Sequence, residues 1–519
     1  MTTPWYRIAV PAALALALAG CSAADPVAAP VVPSTATSAA TSGSAITDTT
    51  KGAHSVDLSW DEASVVDVDL DTGTTTDAGA VDITGELVTI SAPGTYRLRG
   101  ELAGTVRVSS AADGTVRLVL DGVDITGTSG PAIDIDEADE AAVVLADGSA
   151  NTLADAAGDA ADTEANAALY SRTDLTIGGT GALEVDGRSN DGIGSVDGLV
   201  IEGGTITVDA VDDGIRGKDY LVVRGGEITV TAGDDGLKAD NEEATELGSI
   251  ALAGGSTTIT AGDDAVHAEG TLTVSGGTLD VIASVEGIEA AVIDISGGDL
   301  SIVSSDDAVN VSDGSDGAGG GMPGVGGSSG LHLSISGGSL VVDAEGDGID
   351  VNGSATMSGG TVVVHGPTGS GNGALDVDGT FTISGGTLLA AGSAGMAVAP
   401  DADSPQGWVA FAVDGAAGSQ VEVTDADGTV LGELTSRKAF ASLVFSAPGV
   451  TTGSEYSLDG GGASATATAG ELVGGGFGGG PGSGDGPGGG GGRGDRGGAG
   501  GPGGPGATDG TDGEPPARP

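Results

Sequence analysis

The chain has little with which to build an ordinary compact domain. Its 519 residues contain three Trp, five Tyr and five Phe, so the bulky anchors of a broad globular core are largely missing. One cysteine excludes any intrachain disulfide. Basic residues are scarce: 17 Lys and Arg face 75 Asp and Glu, a formal net charge of -58 that repels phosphate backbones and excludes nucleic acid as a partner. The 3.6-residue hydrophobic period of helices is absent, and beyond the first twenty residues no run is apolar and long enough to cross a bilayer. What abounds is glycine, 100 residues, beside a 39% hydrophobic share made mainly of Ala, Val, Ile and Leu. That composition suits a long, thin, repetitive core, the core of a solenoid.

The two ends read differently from the middle. Residues 1–20 carry Arg7 and then a short apolar run from Ile8 to Ala19, the layout of an export signal. Leu18-Ala19-Gly20-Cys21 resembles the bacterial lipobox, which marks Cys21 for lipid attachment and expects the protein on the outer face of the cell membrane, joined to it through that lipid only. Residues 21–75, rich in Ala, Ser, Thr and Pro at their start, read as a flexible tether. Residues 461–519 read as a disordered Gly-rich tail, in which the Arg493-Gly494-Asp495 triplet is chance in a biased composition.

The middle is periodic. Gly-Gly pairs end short alternating runs at Gly203-Gly204, Gly225-Gly226, Gly254-Gly255, Gly276-Gly277, Gly297-Gly298, Gly337-Gly338 and Gly359-Gly360. Their spacings are 22, 29, 22, 21, 40 and 22, a unit of about 22 residues with loops inserted after Asp240 and Asp313. Each unit holds three short strands and three turns. The expected fold is all-β: a right-handed parallel β-helix over residues 81–403, coils stacked at ~4.8 Å, closed by a small C-terminal β cap over residues 406–460. A monomer is expected.

Aligned on Gly-Gly, the units show a column of acids nine residues after the second glycine: Asp213, Asp235, Asp264, Glu286, Asp307 and Asp347. Asp212, Asp234, Asp263 and Asp306 precede four of them; Val285 and Gly346 interrupt the double acid. Two places after the column lie apolar residues such as Ile215 and Leu237, expected in the core. One place further is a second polar column: Arg216, Lys238, His267, Glu289, Asn310 and Asp350. Carboxylates one coil apart repel by ~3 kcal/mol per pair at an effective dielectric near 20 and by nearer ~1 kcal/mol in full solvent. Calcium relieves such repulsion, because its loose coordination by six to eight oxygens can bridge two coils, whereas magnesium demands a stricter octahedron. The candidate Ca2+ ligands are Asp212, Asp213, Asp234, Asp235, Asp240, Asp263, Asp264, Glu269, Glu286, Glu289, Asp306 and Asp307.

The series "DDGIRGKDYLVVRGGEITVTAGDDGLKADNEE", "DDAVHAEGTLTVSGGTL", "VEGIEAAVIDISGG" and "GDGIDVNGSATMSGGTVVVHGPT", with "SAPGTYRLRGEL" before it and "SRKAFASLVFSAP" after, resembles a bacterial carbohydrate-binding β-helix family. Its type member is a clostridial protein that binds cellulose and polygalacturonate. The resemblance implies a pectate-lyase-like β-helix, bound calcium on the Asp-Asp-Gly turns, and binding of acidic or cellulosic polysaccharide without established catalysis.

The residues themselves favour an acidic glycan, since a neutral one is usually held by aromatic stacking and few aromatics are present. Arg216, Lys218, Tyr220 and Lys238 are the candidate sugar contacts, with local neutralisation of an acidic face as the plainer role of the three cations. Two other readings stay open. One is a calcium-dependent lyase with Arg216 or Lys238 as base. The other is a passive surface adhesin or spacer.

Overall fold

The computed structural model describes residues 53–158, 165–243, 247–313 and 330–472. These lie in one compact unit, Met1–Pro481; a second unit, Gly482–Pro519, falls outside the described residues, as do Cys21, the lipobox, the glycine-rich tail and parts of both inserted loops. Strands are nearly all of the regular secondary structure among the described residues, beside one 3-10 turn at Glu62–Ser64. Among the described residues no helix is long and apolar enough to cross a membrane.

The strands form three parallel ladders that the chain visits in turn. In the first ladder Thr205–Ala210 pairs with Glu227–Ala232, with Ile206 opposite Ile228 and Val208 opposite Val230. Ile259, Val281 and Ile302 continue that row in later coils. In the second ladder Ile193, Ile215, Leu237, Val266, Ile288 and Val309 stand in one row. In the third, Leu199, Leu221, Ile250, Leu272 and Ile293 do the same. Each coil therefore returns to its ladder about 22 residues later, at the spacing of the Gly-Gly pairs.

Alternation along each strand decides what is inside. Along Glu227–Ala232 the odd places Glu227, Thr229 and Thr231 face out while Ile228 and Val230 are buried. The rows meet in one continuous apolar core of Val, Ile, Leu and Ala running through the stacked coils. Full burial of each such side chain contributes ~1.5–3 kcal/mol, so many modest contributions replace a few aromatic ones.

In each Gly-Gly pair the second glycine takes a positive φ, and most pairs form bends between strands whose second glycine stacks on the backbone of the coil before; Gly359-Gly360 lies within the strand Ser354–His365. At Gly277 φ is 82°, and a Cβ there would lie 2.8 Å from the Gly254 carbonyl carbon. Gly277→Ala is expected to cost ~1–3 kcal/mol, through strain and a backbone shift, read as a lower midpoint in denaturant.

Beyond the last coil the direction reverses. Phe381–Gly392 pairs antiparallel with Phe440–Ser446, which pairs antiparallel with Trp408–Gly415. A separate four-stranded antiparallel sheet joins Gln420–Thr424, Val430–Thr435, Glu455–Gly460 and Ala463–Thr468. Phe411, Phe445, Val421 and Leu458 share the core of this end, which holds more aromatics than the coils do.

The expected boundaries shift at both ends. Residues 53–75 belong to the fold, not to a tether: Val65–Asp69 pairs in parallel with Gly94–Ala103, and Thr74–Thr75 folds back on it. Ahead of them, Ala53 packs on the outer face of the third ladder over Val200, Tyr220, Val222 and Ala251. The Val56 amide donates to Thr176 Oγ1 at 3.0 Å, and Arg224 Nη1 donates to Ser55 Oγ at 2.9 Å. The apolar outer face needed a cover, and this segment supplies one. Likewise Ala463–Thr468 completes the terminal sheet and is not part of the tail.

Candidate functional site

The turn leading into each second-ladder strand brings the acid column together. Asp213, Asp235 and Asp264 are buried, although the alternation places the next apolar residue, and not the acid, in the core. They are buried because each has a structural task. Asp213 Oδ1 accepts the amide N–H of Asp235 at 3.3 Å, and Asp235 Oδ1 accepts that of Asp264 at 3.0 Å. Asp307 takes the Asp347 amide in the same way, and Asp347 takes the Gly373 amide. Four of the column acids, Asp213, Asp235, Asp307 and Asp347, thus each satisfy a backbone donor of the following coil, while Asp264 faces His267 and Glu286 accepts from Asn310.

The companion column supplies cations between these acids. Lys238 Nζ lies 2.8 Å from Asp235, 3.2 Å from Asp213 and 3.6 Å from Asp234. Burial works against its charge, but Asp213 and Asp235 outweigh burial and raise the lysine above its ordinary value. His267 Nδ1 lies 2.9 Å from Asp264 and 3.2 Å from Glu289, and Nε2 lies 3.6 Å from Glu269. Here too burial opposes the charge and the carboxylates win, pushing His267 up to about 11. Arg216 forms a two-pronged contact with Asp240, at 3.0 Å from Nε and 2.8 Å from Nη2. Together Asp234, Asp235, Lys238, Asp240, Glu242, Asp263, Asp264, His267, Glu269, Glu286 and Glu289 line an open trough of about 400 Å³.

Farther along, the pattern changes sign. Asp350 occupies the place in its coil that Lys238 has in its own, three residues after the column acid. Ligand oxygens of Asp307, Asp347 and Asp350 all lie within 4.8 Å of one another, and these three pair with no basic side chain among the described residues. Burial, then Asp307, Asp376 and Asp347, push Asp350 up to about 8; burial pushes Asp347 up to about 7 and Asp307 up to about 6. Asn310, one coil before Asp350, donates through Nδ2 to Glu286 at 2.7 Å and to Glu289 at 3.3 Å. Its Oδ1, on the opposite arm of the amide, is buried without a hydrogen-bond partner.

Several sequence-nominated residues stand elsewhere. Tyr220 is buried under Ala53 on the third ladder, and its hydroxyl donates to Asp174 at 2.8 Å, so its ring offers no face to a sugar. Lys218 follows the second-ladder strand and does not line the trough. Asp212 joins Asp213 and Asp234 in a second acid group, while Asp306 is exposed beside the column. Of the described aromatic side chains Trp60 alone is exposed, at 37%, and its indole is bonded to Glu62.

The column also begins one coil earlier than Gly-Gly alignment shows. Asp191, 1% exposed, precedes Asp213 in the row, and burial, then Asp213, push it up to about 8. Thr180-Gly181 stands where later coils have Gly-Gly, which hid the phase; the "NDGI" at Asn190 to Ile193 was the available signal. Asp350 and Asn310 were visible as column members, but only stacking shows them beside Asp307 and Asp347.

Comparison with known proteins gives related descriptions. Residues 84–330 match a family model described as carbohydrate-binding domain-containing protein. A protein of that description from Acetivibrio thermocellus is 42% identical over 128 residues, covering 24% of this chain and 45% of the relative. The matched region thus spans about half the length of that relative. Among solved structures, the gadolinium derivative of a polysaccharide lyase-like protein from C. thermocellum aligns at 34% identity and a TM-score of 0.41, covering 45% of this chain and 96% of that one.

Proposed function

We propose that this chain is a calcium-binding surface protein that holds acidic polysaccharide along the acid column of a right-handed parallel β-helix, without cleaving it. The observation that carries the reading is the reversal between coils. Where Lys238 and His267 neutralise their acids, no ion is needed. Where Asp350 replaces the lysine, the carboxylates of Asp307, Asp347 and Asp350 converge with no basic side chain among the described residues to balance them. Three carboxylates supply hard oxygen donors of the kind that suit Ca2+, whose remaining positions would be open to water or to a uronate carboxylate. The calcium site therefore moves from the Asp-Asp turns at Asp234-Asp235 and Asp263-Asp264 to Asp307, Asp347 and Asp350.

Two further features favour binding of an acidic chain. Exposed stacking platforms are scarce among the described residues, which leaves a cellulosic ligand without its usual grip. Val211, Ile282, Val285 and Val303 are exposed on the edge leading into the column, an apolar rim for the C–H faces of sugar rings. Binding without cleavage follows from the protonation of the basic groups. Lys238 and His267 are held charged by their carboxylates, and Arg216 is locked on Asp240, so each is a poor proton acceptor for lyase chemistry.

Affinity electrophoresis through polygalacturonate should retard the protein with calcium and release it with chelator. Retardation that ignores chelation would sink the calcium bridge. Incubation with polygalacturonate and calcium should give no rise in unsaturated-product absorbance; a rise lost in Lys238→Ala would establish a lyase instead. The Cys21 anchor is proposed from the lipobox resemblance, and Cys21→Ser should move the protein from the membrane fraction to the soluble one.

A further inference from the structure

We propose that the turn at residues 436–439 is an acid-sensitive latch, which holds the terminal four-stranded sheet against the last coils at neutral pH and lets it lift when His365 takes up a proton. The sheet lies over the outward side of the first ladder. Leu389 and Ala391, in Phe381–Gly392, share a core with Val421, Leu434 and Leu458 of the sheet, and Val363 packs against it. His365 ends Ser354–His365 on the same outward side, between Asp343 of the coil before and Ala391 of the coil after, and is 4% exposed. The turn joins Val430–Thr435, an edge strand of the sheet, to Phe440–Ser446. Its ties to the coils converge on one place. The Arg437 amide donates to His365 Nδ1 at 3.3 Å, Lys438 Nζ lies 2.9 Å from Asp343 and 3.0 Å from Glu345, and Arg437 Nη1 lies 3.7 Å from Asp343.

The bond to the Arg437 amide places the proton of neutral His365 on Nε2, because Nδ1 must accept. A proton added to Nδ1 sets a donor against a donor, in a buried site beside two cations. The charged groups facing His365 are Asp343 from the preceding coil and Arg437 and Lys438 from the turn; on its other side stands Ala391, which carries no charge. Burial first, then Arg437, hold His365 down at about 4, with Asp343 opposing them and Lys438 adding to them. With the turn lifted the imidazole regains its ordinary 6.5, so below that pH the lifted state binds a proton that the latched state refuses, and the latch weakens as pH falls towards 4. The direction is opposite to that of the buried acids Asp191 and Asp350, which hold protons in the folded state, so acid loosens this end of the molecule while it relieves the coils. The latch needs neither calcium nor glycan.

Hydrogen exchange of the full chain, read by mass spectrometry at pH 8 and pH 5 and corrected for intrinsic rates, tests the latch. Amides of residues 430–438 should lose about thirtyfold in protection at pH 5, the factor by which an imidazole moving from about 4 to 6.5 favours the lifted state there. Protection along Glu227–Ala232, in the coils, should not fall. His365→Gln, which keeps an acceptor for the Arg437 amide but cannot take the proton, should give residues 430–438 the same protection at both pH values. Should that variant fail to fold, NMR titration of the parent chain supplies a second reading: one imidazole should keep its single proton on Nε2 down to about pH 4. Protection at residues 430–438 that holds at pH 5, that falls equally in the coils, or that falls as far in His365→Gln would overturn the latch, and so would the absence of an imidazole that titrates near 4.

Discussion

Asp235→Ala is expected to cost ~3–5 kcal/mol of stability, the penalty for stripping a partner from a buried ion pair. The carboxylate has two tasks at once: Oδ1 accepts the buried Asp264 amide at 3.0 Å, and Oδ2 faces Lys238 Nζ at 2.8 Å. Removing it orphans a backbone donor and leaves a largely buried ammonium with Asp213 and the partly exposed Asp234. Asp235→Asn keeps an acceptor for the amide but turns a donor towards Lys238, so it should recover part of the loss. Asp234→Ala, 3.6 Å from Lys238 and 43% exposed, should cost less than about 1 kcal/mol. The three can be ranked by urea denaturation followed by circular dichroism. Equal effects of Asp234→Ala and Asp235→Ala would show that the column acid is a surface charge and not a rung of the ladder.

Without calcium, the protein should be more stable near pH 5 than near pH 8. Burial, with neighbouring acids, raises Asp191, Glu286 and Asp350 to about 8 in the folded state, against ordinary values of 3.8, 4.5 and 3.8. Over that window the folded chain binds protons that the unfolded chain has released, so stability falls as pH rises. His267 acts in the same direction: raised from 6.5 to about 11, its contribution is full below 6.5 and is lost as pH rises through 11. Glu289 acts in the opposite direction; burial opposes its ionisation, but His267 beside it holds it below its usual value, so its contribution fades only in stronger acid. Since each tenfold change in a group's proton affinity is worth about 1.4 kcal/mol, the summed difference should reach several kcal/mol. Calcium should offset much of the loss at pH 8, by ~2.7 kcal/mol at a hundredfold excess over its dissociation constant, and little at pH 5, where protons compete for the same oxygens. Scanning calorimetry at both pH values, with calcium and with chelator, reads all four corners. A protein that melts higher at pH 8 without calcium would contradict the buried-acid account.

Much of this architecture was legible because a stacked fold writes itself as a period. The 22-residue spacing of Gly-Gly marked the coil, and Leu237 or Ile215 two places after the acid marked the core, since both follow from local geometry. The task of the acid was not legible. Asp235 reads as a turn residue or a metal ligand, and that it accepts the next coil's amide is a contact between residues 29 apart in the chain. The change of role along one column was also hidden. Lys238 and Asp350 share a phase, yet only stacking shows that one fills its notch and the other leaves it acidic. Tyr220 misled for a related reason: the segment at Ala53 that covers it is some 167 residues earlier in the chain.

The most direct test is calorimetric titration of calcium into chelator-treated protein, the Asp347→Asn, Asp350→Asn double variant and the Lys238→Met variant. Calcium should bind the parent protein and Lys238→Met, and the double variant should lose at least one site or weaken it tenfold or more. Binding unchanged in the double variant but altered in Lys238→Met would return calcium to the Asp-Asp-Gly turns; no binding to the parent protein would contradict the account at its centre.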